Sequence, residues 1–238
     1  MDVKEKEAEI IVSNNETALV QPQQYIPEKT DNLLIGKILK RLIDILGGIV
    51  GTIVLIPLTI GIAIANLICK DNGPIFYSQY RMGKNGKLFK MYKYRSMVVG
   101  ADEKLKKYLE ENEEARKEYK KYKKLKHDQR VTKVGEFIRK TSLDEFPQFI
   151  NVLKGDMSLV GPRPYLEREK EDMNGYYKYI TTCKPGLTGL WQISGRSDVD
   201  FATRIDLDMQ YYYNHSLNGD IKILFKTAMK LVKREGAL

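Results

Sequence analysis

The sequence has few of the residues that build disulfide scaffolds and structural metal centres. Its 238 residues include two cysteines, Cys69 and Cys183, which are far apart and form no CxxC pair. The only histidines are His127 and His215. This composition argues against a disulfide framework and against a structural zinc site. We expect two buried thiols in a reducing compartment.

Negative charge is also scarce relative to positive charge. Lys+Arg 40 against Asp+Glu 31 gives a formal net charge of +9. A basic surface of this kind favours anionic partners: nucleic acid, anionic lipid or phosphorylated substrates. Because no recognisable nucleic-acid reading module accompanies the charge, we expect no nucleic-acid partner.

The first 36 residues contain no long apolar run. Residues 1–36 are polar and mixed in charge, and no secretory signal opens them. We expect this lead to be flexible or to lie on the surface.

Charge disappears between Ile45 and Ile68, about 24 residues, which is enough to cross a bilayer core. Pro57 falls in the middle, where it removes an intrahelical hydrogen bond. Basic residues flank both ends, so the positive-inside rule places both ends in the cytoplasm. For residues 37–70 we predict a re-entrant membrane helix that breaks at Pro57 and returns to the same face. A kinked span and a buried core helix are the alternatives.

The remaining residues, 71–238, predict a compact cytoplasmic catalytic domain. The pattern is mainly α with a small β-hairpin, an α+β fold, because two aromatic-rich strands at 75–81 and 88–94 flank a tight connection. Residues 101–127 follow with Lys/Glu-rich helical spacing. They predict a solvated helical hairpin, with a membrane-surface or partner contact as the alternative.

Helical spacing returns at 131–154, with Gly155 as the expected C-cap. The turn-rich segment 156–200 is expected to carry function rather than packing. Asp220 is expected to cap a basic amphipathic C-terminal helix. That helix either packs on the domain or lies on lipid at the interface.

Two adjacent carboxylates, Asp144 and Glu145, stand just ahead of Pro147, which begins a helix. One interpretation is structural, since Ser142 and Glu145 fit an S-x-x-E capping box. The other is chemical. A carboxylate can attack phosphorus to give an acyl phosphate, and a neighbouring carboxylate with a divalent cation would spread the charge that builds up.

The basic residues around the pair favour the chemical interpretation. Arg139 precedes it, and Arg163 follows, held between Pro162 and Pro164. The planar fork of arginine suits bidentate phosphate contacts, and flanking prolines reduce the entropy lost on binding.

Taken in order, the motifs resemble those of the bacterial sugar transferases, the monotopic polyprenyl-phosphate phosphoglycosyl transferases. The resemblance covers roughly residues 37 to 238. It rests on Pro57 and on KRLID (40–44), QYRMGKNGKLF (79–89), KYRSM (93–97), RKTSLDEFPQ (139–148), GDMSLVGPRP (155–164), PGLTGLWQ (185–192) and GR (195–196). Tyr94 and Phe146 depart from the usual phenylalanine and leucine, away from the expected chemistry.

The resemblance implies transfer of a sugar-1-phosphate from a UDP-sugar to undecaprenyl phosphate, with release of UMP and with Mg²⁺ as cofactor. It assigns the nucleophile to Asp144 and metal binding to Asp144 and Glu145, and it places the break of a re-entrant helix at Pro57. The arginines expected to bind substrate phosphate are Arg139, Arg163, Arg95 and Arg196.

The region around Trp191 and the run Tyr211 to Tyr213 look closest to members that transfer glucose- or galactose-phosphate. Such members start capsule, exopolysaccharide or O-antigen repeats. We therefore expect an enzyme of the inner membrane with its catalytic domain on the cytoplasmic face and in contact with membrane lipid. It would be a short form without the multi-helix region that precedes the domain in longer members. The sequence leaves a homodimer open. The alternative function is a non-catalytic membrane adaptor that recruits partners through 101–127 and the C-terminal helix.

Overall fold

The long apolar stretch forms one helix, α1 (Leu33–Ile68). The computed structural model describes residues 33–195 and 199–233, so most of the predicted lead lies outside the described residues. By length and composition, Leu34–Ile68 is apolar enough to cross a membrane. The helix begins before the predicted boundary at residue 37 and continues through Pro57. The contacts of the two halves of α1 therefore indicate whether the chain returns to the same face.

The elements after α1 are mostly short helices, with two small sheets between them. The helices are α2 (Ala101–Glu111), α3 (Glu113–Tyr122), α4 (Lys133–Lys140), α5 (Gln148–Lys154), α6 (Tyr177–Ile180), α7 (Leu190–Ser194), α8 (Phe201–Asn214) and α9 (Leu217–Lys233). The strands are β1 (Phe76–Met82), β2 (Leu88–Tyr94), β3 (Ser158–Val160) and β4 (Gly186–Thr188). The predicted α+β class, mainly α with a β-hairpin, is confirmed.

Both halves of α1 pack against the rest of the domain. Before Pro57, Gly51 lies so close to Phe149 that an added Cβ would come within 2.2 Å of the ring. The absence of a side chain therefore allows this close approach. After Pro57, Thr59 Oγ1 is 2.6 Å from the hydroxyl oxygen of Tyr94, a fully buried residue of β2.

Polar residues attach the start of α1 to the same domain. The buried Asp44 carboxylate accepts hydrogen bonds from Ser158 Oγ at 2.9 Å and from Leu159 N at 2.8 Å. Lys40 forms an ion pair with Asp220. These contacts join α1 to β3 and α9. They also give the buried Asp44 carboxylate the polar partners that it needs to be stable.

The β-hairpin matches the prediction closely. Strands β1 and β2 pair antiparallel, with Phe76 opposite Tyr94 and Met82 opposite Leu88. Asn85 takes a left-handed conformation (φ 57°) in the connection, as hairpin turns require. The predicted helical hairpin is also present, as α2 and α3, around a small apolar cluster that includes Leu105.

The single helix predicted over 131–154 is wrong in its middle. Helix α4 ends at Lys140, Ser142 is left-handed (φ 57°), and a short 3₁₀ turn covers Leu143–Glu145 before α5 begins. The capping box is not formed, since the Ser142 side chain makes no cap hydrogen bond within the described residues. At the other end the prediction is confirmed, because Gly155 (φ 85°) caps α5.

Two features of the C-terminal half differ from the sequence prediction. Strands β3 and β4, three residues each, form a parallel pair that was not predicted. Helix α9 begins at Leu217, so Asp220 lies in its first turn and does not cap it. Instead the Asp220 carboxylate accepts a hydrogen bond from the Tyr211 hydroxyl at 2.8 Å.

Candidate active site

The acidic pair lies on the 3₁₀ turn between α4 and α5, next to strand β2. Lys93 Nζ is 2.8 Å from Glu145 Oε1 and 3.8 Å from Asp144 Oδ2. The two carboxylates differ in exposure: the side chain of Asp144 is 14% exposed and that of Glu145 is 39% exposed. One carboxylate is therefore held in the protein wall, and the other stands nearer to solvent.

Burial raises the pKa of Asp144 to about 6. The positive charge of Lys93 opposes this increase, the negative charge of Glu145 adds to it, and Arg139 opposes it more weakly. At pH 7 the carboxylate is mostly ionised, yet it is poorly solvated. Such a group is more reactive as a nucleophile than a hydrated surface carboxylate.

Local backbone geometry explains why the pair is presented in this way. The left-handed Ser142 ends α4, and Pro147 begins the next helix, so the two acids are confined to one tight turn. The turn is anchored by Leu143 and Phe146, which pack against a buried cluster that includes Ile138.

Of the four predicted phosphate-binding arginines, the three that the structure describes, Arg95, Arg139 and Arg163, do not gather at one point. Arg139 is close enough to Asp144 for its charge to affect that carboxyl. Arg163 belongs to a different cluster, described below. Arg196 lies outside the described residues, and its predicted role stays a prediction.

Each of the three guanidinium nitrogens of Arg95 donates a hydrogen bond within the protein. Its guanidinium donates to Pro74 O at 2.6 Å, to Asp71 Oδ1 at 2.7 Å and to Met97 O at 2.9 Å. The side chain is buried, and its hydrogen bond holds the pKa of Asp71 below the usual value. These contacts attach the end of β2 to the segment after α1. A phosphate-binding role for Arg95 stays a prediction that no described contact supports.

Arg163 is brought together with two arginines that the sequence reasoning did not single out, Arg81 and Arg204. Arg81 and Arg163 both approach the buried Glu169 carboxylate, at 3.9 Å and 3.7 Å. Arg163 and Arg204 both lie over the ring of Trp191, with guanidinium carbons 5.6 Å and 5.3 Å from its centre. We call Arg81, Arg163 and Arg204 the arginine cluster.

The backbone around Arg163 is fixed by close packing of glycines. Gly161 N donates to Thr188 O at 2.9 Å. A Cβ on Gly161 would lie 2.3 Å from Lys184 O, so the chain can pass here only without a side chain. Arg163 N then donates to Asp208 Oδ2 at 3.0 Å. Together these contacts set the position of the Pro162-Arg163-Pro164 segment.

Comparison with known proteins identifies the family. The sequence model described as "Bacterial sugar transferase" matches residues 35–234. The chain belongs to this family. The predicted family is therefore confirmed.

Curated relatives place this sugar transferase among similar proteins. It is 46% identical to "Undecaprenyl-phosphate galactose phosphotransferase" of Salmonella typhimurium over 226 residues, 95% of this chain and 46% of the relative. It is 44% identical to "Exopolysaccharide production protein ExoY" of Rhizobium meliloti, over 85% of this chain and 90% of the relative. It is 38% identical to "UDP-glucose:undecaprenyl-phosphate glucose-1-phosphate transferase" of Escherichia coli K12, over 82% of this chain and 40% of the relative. The chain thus spans less than half the length of the first and third of these relatives and most of ExoY.

In this sugar transferase the acidic pair is also the site that would suit a hard divalent cation. Among the described residues, no group of three or more His, Cys, Asp and Glu side chains is positioned to hold a metal. Mg²⁺ commonly takes only one or two protein carboxylates and completes its shell with water and substrate phosphates. Asp144 and Glu145 provide such oxygen ligands side by side, so the donor set fits this cation.

The sequence contains a pattern that could have indicated Arg204. Helix α8 buries Phe201, Ile205 and Met209, and on the same buried side it carries Arg204 and Asp208, four residues apart. Charged residues on a buried helix face need partners and often mark a site. Arg81 lies within the QYRMG motif, but its side chain had no assigned role.

Proposed function

We propose that this sugar transferase moves a sugar-1-phosphate, galactose- or glucose-1-phosphate, from a UDP-sugar to undecaprenyl phosphate and releases UMP. The observation that carries the proposal is the buried, ionised Asp144 carboxylate beside Glu145 and Lys93. The names of the Salmonella and E. coli relatives support the lipid acceptor and the two sugars. The name of ExoY supports a role in exopolysaccharide production. In this proposal the transferred sugar starts a polysaccharide repeat, of capsule, exopolysaccharide or O-antigen.

In the first step, an oxygen of the Asp144 carboxylate attacks the phosphorus atom that bears the sugar. The bond from this phosphorus to the bridging oxygen breaks, and UMP leaves with the electron pair. The product is an aspartyl phosphosugar. Lys93 lies near both carboxylates and favours the ionised state that the attack requires.

In the second step, a phosphate oxygen of undecaprenyl phosphate attacks the same phosphorus. The Asp144 oxygen leaves with its electron pair, so the free carboxylate returns and no external acid or base is consumed. The polyprenyl diphosphate sugar is the product. The positive charge of Lys93, which favours the ionised form of Asp144, assists the departure of this carboxylate.

Asp144 and Glu145 would hold Mg²⁺, which when bound would neutralise charge on the phosphate oxygens. Arg139 adds positive charge on the α4 side of the pair, and Arg163 is the second predicted phosphate ligand. Arg139 lies near Asp144 and Arg163 lies near Glu169 and Trp191, so we assign the two arginines to different phosphates of the reaction.

We propose a re-entrant position for α1 in the cytoplasmic leaflet of the inner membrane. Residues on both sides of Pro57 contact the same domain, as Gly51 and Thr59 illustrate. A helix crossing the bilayer would carry one half away from a domain on the cytoplasmic side. The outer side of α1 exposes many large apolar residues, among them Ile53, Ile56 and Ile60.

Helix α9 extends this apolar surface in our proposal. It packs on the domain through the buried Ile223, while Ile221, Phe225 and Met229 are exposed. Lysines at 222, 226 and 230 share the helix and suit anionic lipid headgroups. In this proposal one side of α9 packs on the domain and the other lies at the lipid interface.

The test is a screen of UDP-hexoses for UMP release with undecaprenyl phosphate and Mg²⁺, using the full chain in detergent or nanodiscs. We expect release with UDP-galactose or UDP-glucose. Incubation with the donor alone should add the mass of a phosphohexose to the peptide that contains Asp144. If no UDP-hexose releases UMP and no such adduct forms, the proposed function is wrong.

A further inference from the structure

The arginine cluster holds an unusual concentration of buried polar atoms without protein partners. Among the residues that the structure describes, eight side-chain nitrogen or oxygen atoms are buried without a hydrogen-bond partner. Four belong to this cluster or its direct contacts: Arg81 Nε, Arg163 Nε, Trp191 Nε1 and Asp208 Oδ1. Buried polar groups without partners are costly, so their accumulation at one place indicates a ligand.

The charges of the cluster point to an anionic ligand. Three guanidinium groups face two carboxyls, Glu169 and Asp208, and burial raises the pKa of Asp208 to about 7. Burial, with the nearby positive charge of Arg163 as the second cause, lowers the pKa values of Arg81 and Arg204 to about 10. An excess of buried positive charge is unfavourable unless an anion accompanies it.

The position of the cluster favours a water-soluble nucleotide over the lipid. In the described part of the chain, the apolar residues next to the cluster, such as Phe201 and Ile205, belong to a core group without α1 residues. The acidic turn packs against the core group that includes Leu55 and Ile62 of α1. A lipid phosphate must stay near the membrane helix, whereas a nucleotide can approach from the side away from it.

The β-hairpin connects the acidic turn with the arginine cluster. Lys93, which contacts both acids, pairs with Tyr77 on β1. Arg81 follows Tyr77 by four residues, on the same face of the strand, which corresponds to about 13 Å. This separation is measured between Cα positions, and the long Lys93 and Arg81 side chains on one face of the hairpin can shorten the gap between their charged groups. The arginines can therefore contact the nucleotide phosphate of a donor whose neighbouring, sugar-bearing phosphorus lies at Asp144.

We infer that Arg81 and Arg204 join Arg163 to form the binding site for the nucleotide phosphate of the donor, which leaves as UMP. The inference rests on the proposed function, and it adds two binding residues and a direction of approach. Arg81 and Arg163 would contribute their free Nε–H groups. Trp191 would hold Arg163 and Arg204 in place through its ring.

Trp191 provides a direct measurement, because it is the only tryptophan in the sequence. Its ring contacts two of the three arginines, so phosphate binding there should change its fluorescence. We expect a saturable change when UMP is added with Mg²⁺, under excitation that tyrosine does not absorb. The Asp144→Asn variant should still give a saturable response, because the arginines and Glu145 remain. Absence of a response in a wild-type protein that still forms the aspartyl adduct would overturn the inference and leave the proposed function intact.

Two substitutions test the arginines themselves. Arg81→Gln and Arg204→Gln should each weaken UMP binding by about tenfold or more, since each removes a charge-assisted hydrogen-bond donor. Arg116→Gln, at an exposed arginine of α3, is the matched control and should bind UMP normally. Near-ultraviolet circular dichroism checks folding, and Arg81→Lys and Arg204→Lys replace any glutamine variant that fails to fold. The lysine variants should still weaken UMP binding, because the planar fork is lost.

A short-chain polyprenyl phosphate distinguishes the two sources of phosphate. Its binding should be unchanged in the arginine variants. If the variants lose the lipid phosphate and keep UMP, the cluster serves the acceptor and the inference is wrong. If they bind both ligands as the wild type does, the cluster binds neither and the inference is equally wrong. Failure of the wild type to bind UMP and to form an adduct would overturn the proposed function as well.

Discussion

The acidic turn and the arginine cluster handle charge in opposite ways. At the turn, two carboxylates share one nearby lysine, Lys93, and one of them is buried. At the cluster, three arginines lie near the buried Glu169 side chain and a second carboxyl, Asp208, whose burial favours the neutral form. The first arrangement keeps a negative group reactive, and the second leaves positive charge available to an anion.

This difference assigns the reaction to the acidic turn and the binding of the donor to the arginine cluster. Changes at the acidic turn should act on turnover, because the nucleophile touches the reacting phosphorus. Changes in the cluster should act on donor affinity or on stability, because its residues hold a group that leaves without reacting. The predictions below test this separation, beginning with the largest expected effect.

Replacing Asp144 with Asn should have the largest effect. We expect UMP release to fall by at least about 1,000-fold, because the amide cannot form the aspartyl intermediate. UMP binding, followed by Trp191 fluorescence, should persist. Glu136→Gln, at an exposed carboxylate of α4 that pairs with Lys140, is the control and should keep normal turnover. Turnover within tenfold of wild type in Asp144→Asn would remove this residue as the nucleophile.

Asp208→Asn tests the charge balance of the cluster through stability. Burial raises the pKa of Asp208 from 3.8 to about 7 in the folded protein. Its stabilising contribution is therefore complete below about pH 4 and is lost as pH rises to about 7. The variant lacks this loss, so its stability relative to wild type should increase between pH 4 and 7, by up to about 4 kcal/mol.

Thermal unfolding at pH 5 and at pH 8 measures this change. The difference in Tm between Asp208→Asn and wild type should be more positive at pH 8. Glu171→Gln, at an exposed carboxylate, should show no such change with pH. A difference in Tm that stays constant between the two pH values would mean that Asp208 is ionised in the folded protein throughout, with the cluster carrying less excess positive charge.

Lys93→Met tests the acidic turn. In the wild type, turnover should decline about tenfold per pH unit below pH 6, because the attacking carboxylate must be ionised. The charge of Lys93 lowers the pKa of Asp144, so its removal should shift this decline to higher pH. We expect a loss of about tenfold in turnover at neutral pH. Lys90→Met, at an exposed lysine of the same strand, is the control, and an unshifted profile in Lys93→Met would contradict the assignment.

Much of the fold could be predicted from local patterns in the sequence. The apolar run of α1 and the alternating residues of the β-hairpin each depend on local periodicity, so their bounds were predicted within a few residues. The break at Ser142 was missed, because its left-handed backbone depends on packing of the acidic turn against β2. The parallel pair β3 and β4 was also missed, since three-residue strands joined over a long separation have no local signature.

The residues of the candidate site also divide into those that the sequence predicted and those that it did not. Asp144 and Glu145 are adjacent in sequence, so the pair could be predicted directly. The arginine cluster draws Arg81 from β1, Arg163 from the loop after β3 and Arg204 from α8. Only the fold brings residues so far apart in sequence together. The charged residues on the buried side of α8 were the one available clue.

The smallest effect is expected on the helical hairpin of α2 and α3, which the adaptor alternative would use to recruit partners. Lys117 and Glu113 form an ion pair at 2.9 Å with side chains 75% and 72% exposed. Lys117→Ala should cost about 0.3–0.5 kcal/mol, because solvent screens an exposed pair of this kind. UMP release should be unchanged, since α2 and α3 form their own apolar cluster apart from the acidic turn. Unchanged turnover here, set beside its loss in Asp144→Asn, is the pattern of an enzyme. Absence of UMP release from the wild type as well as from both variants would instead favour the adaptor.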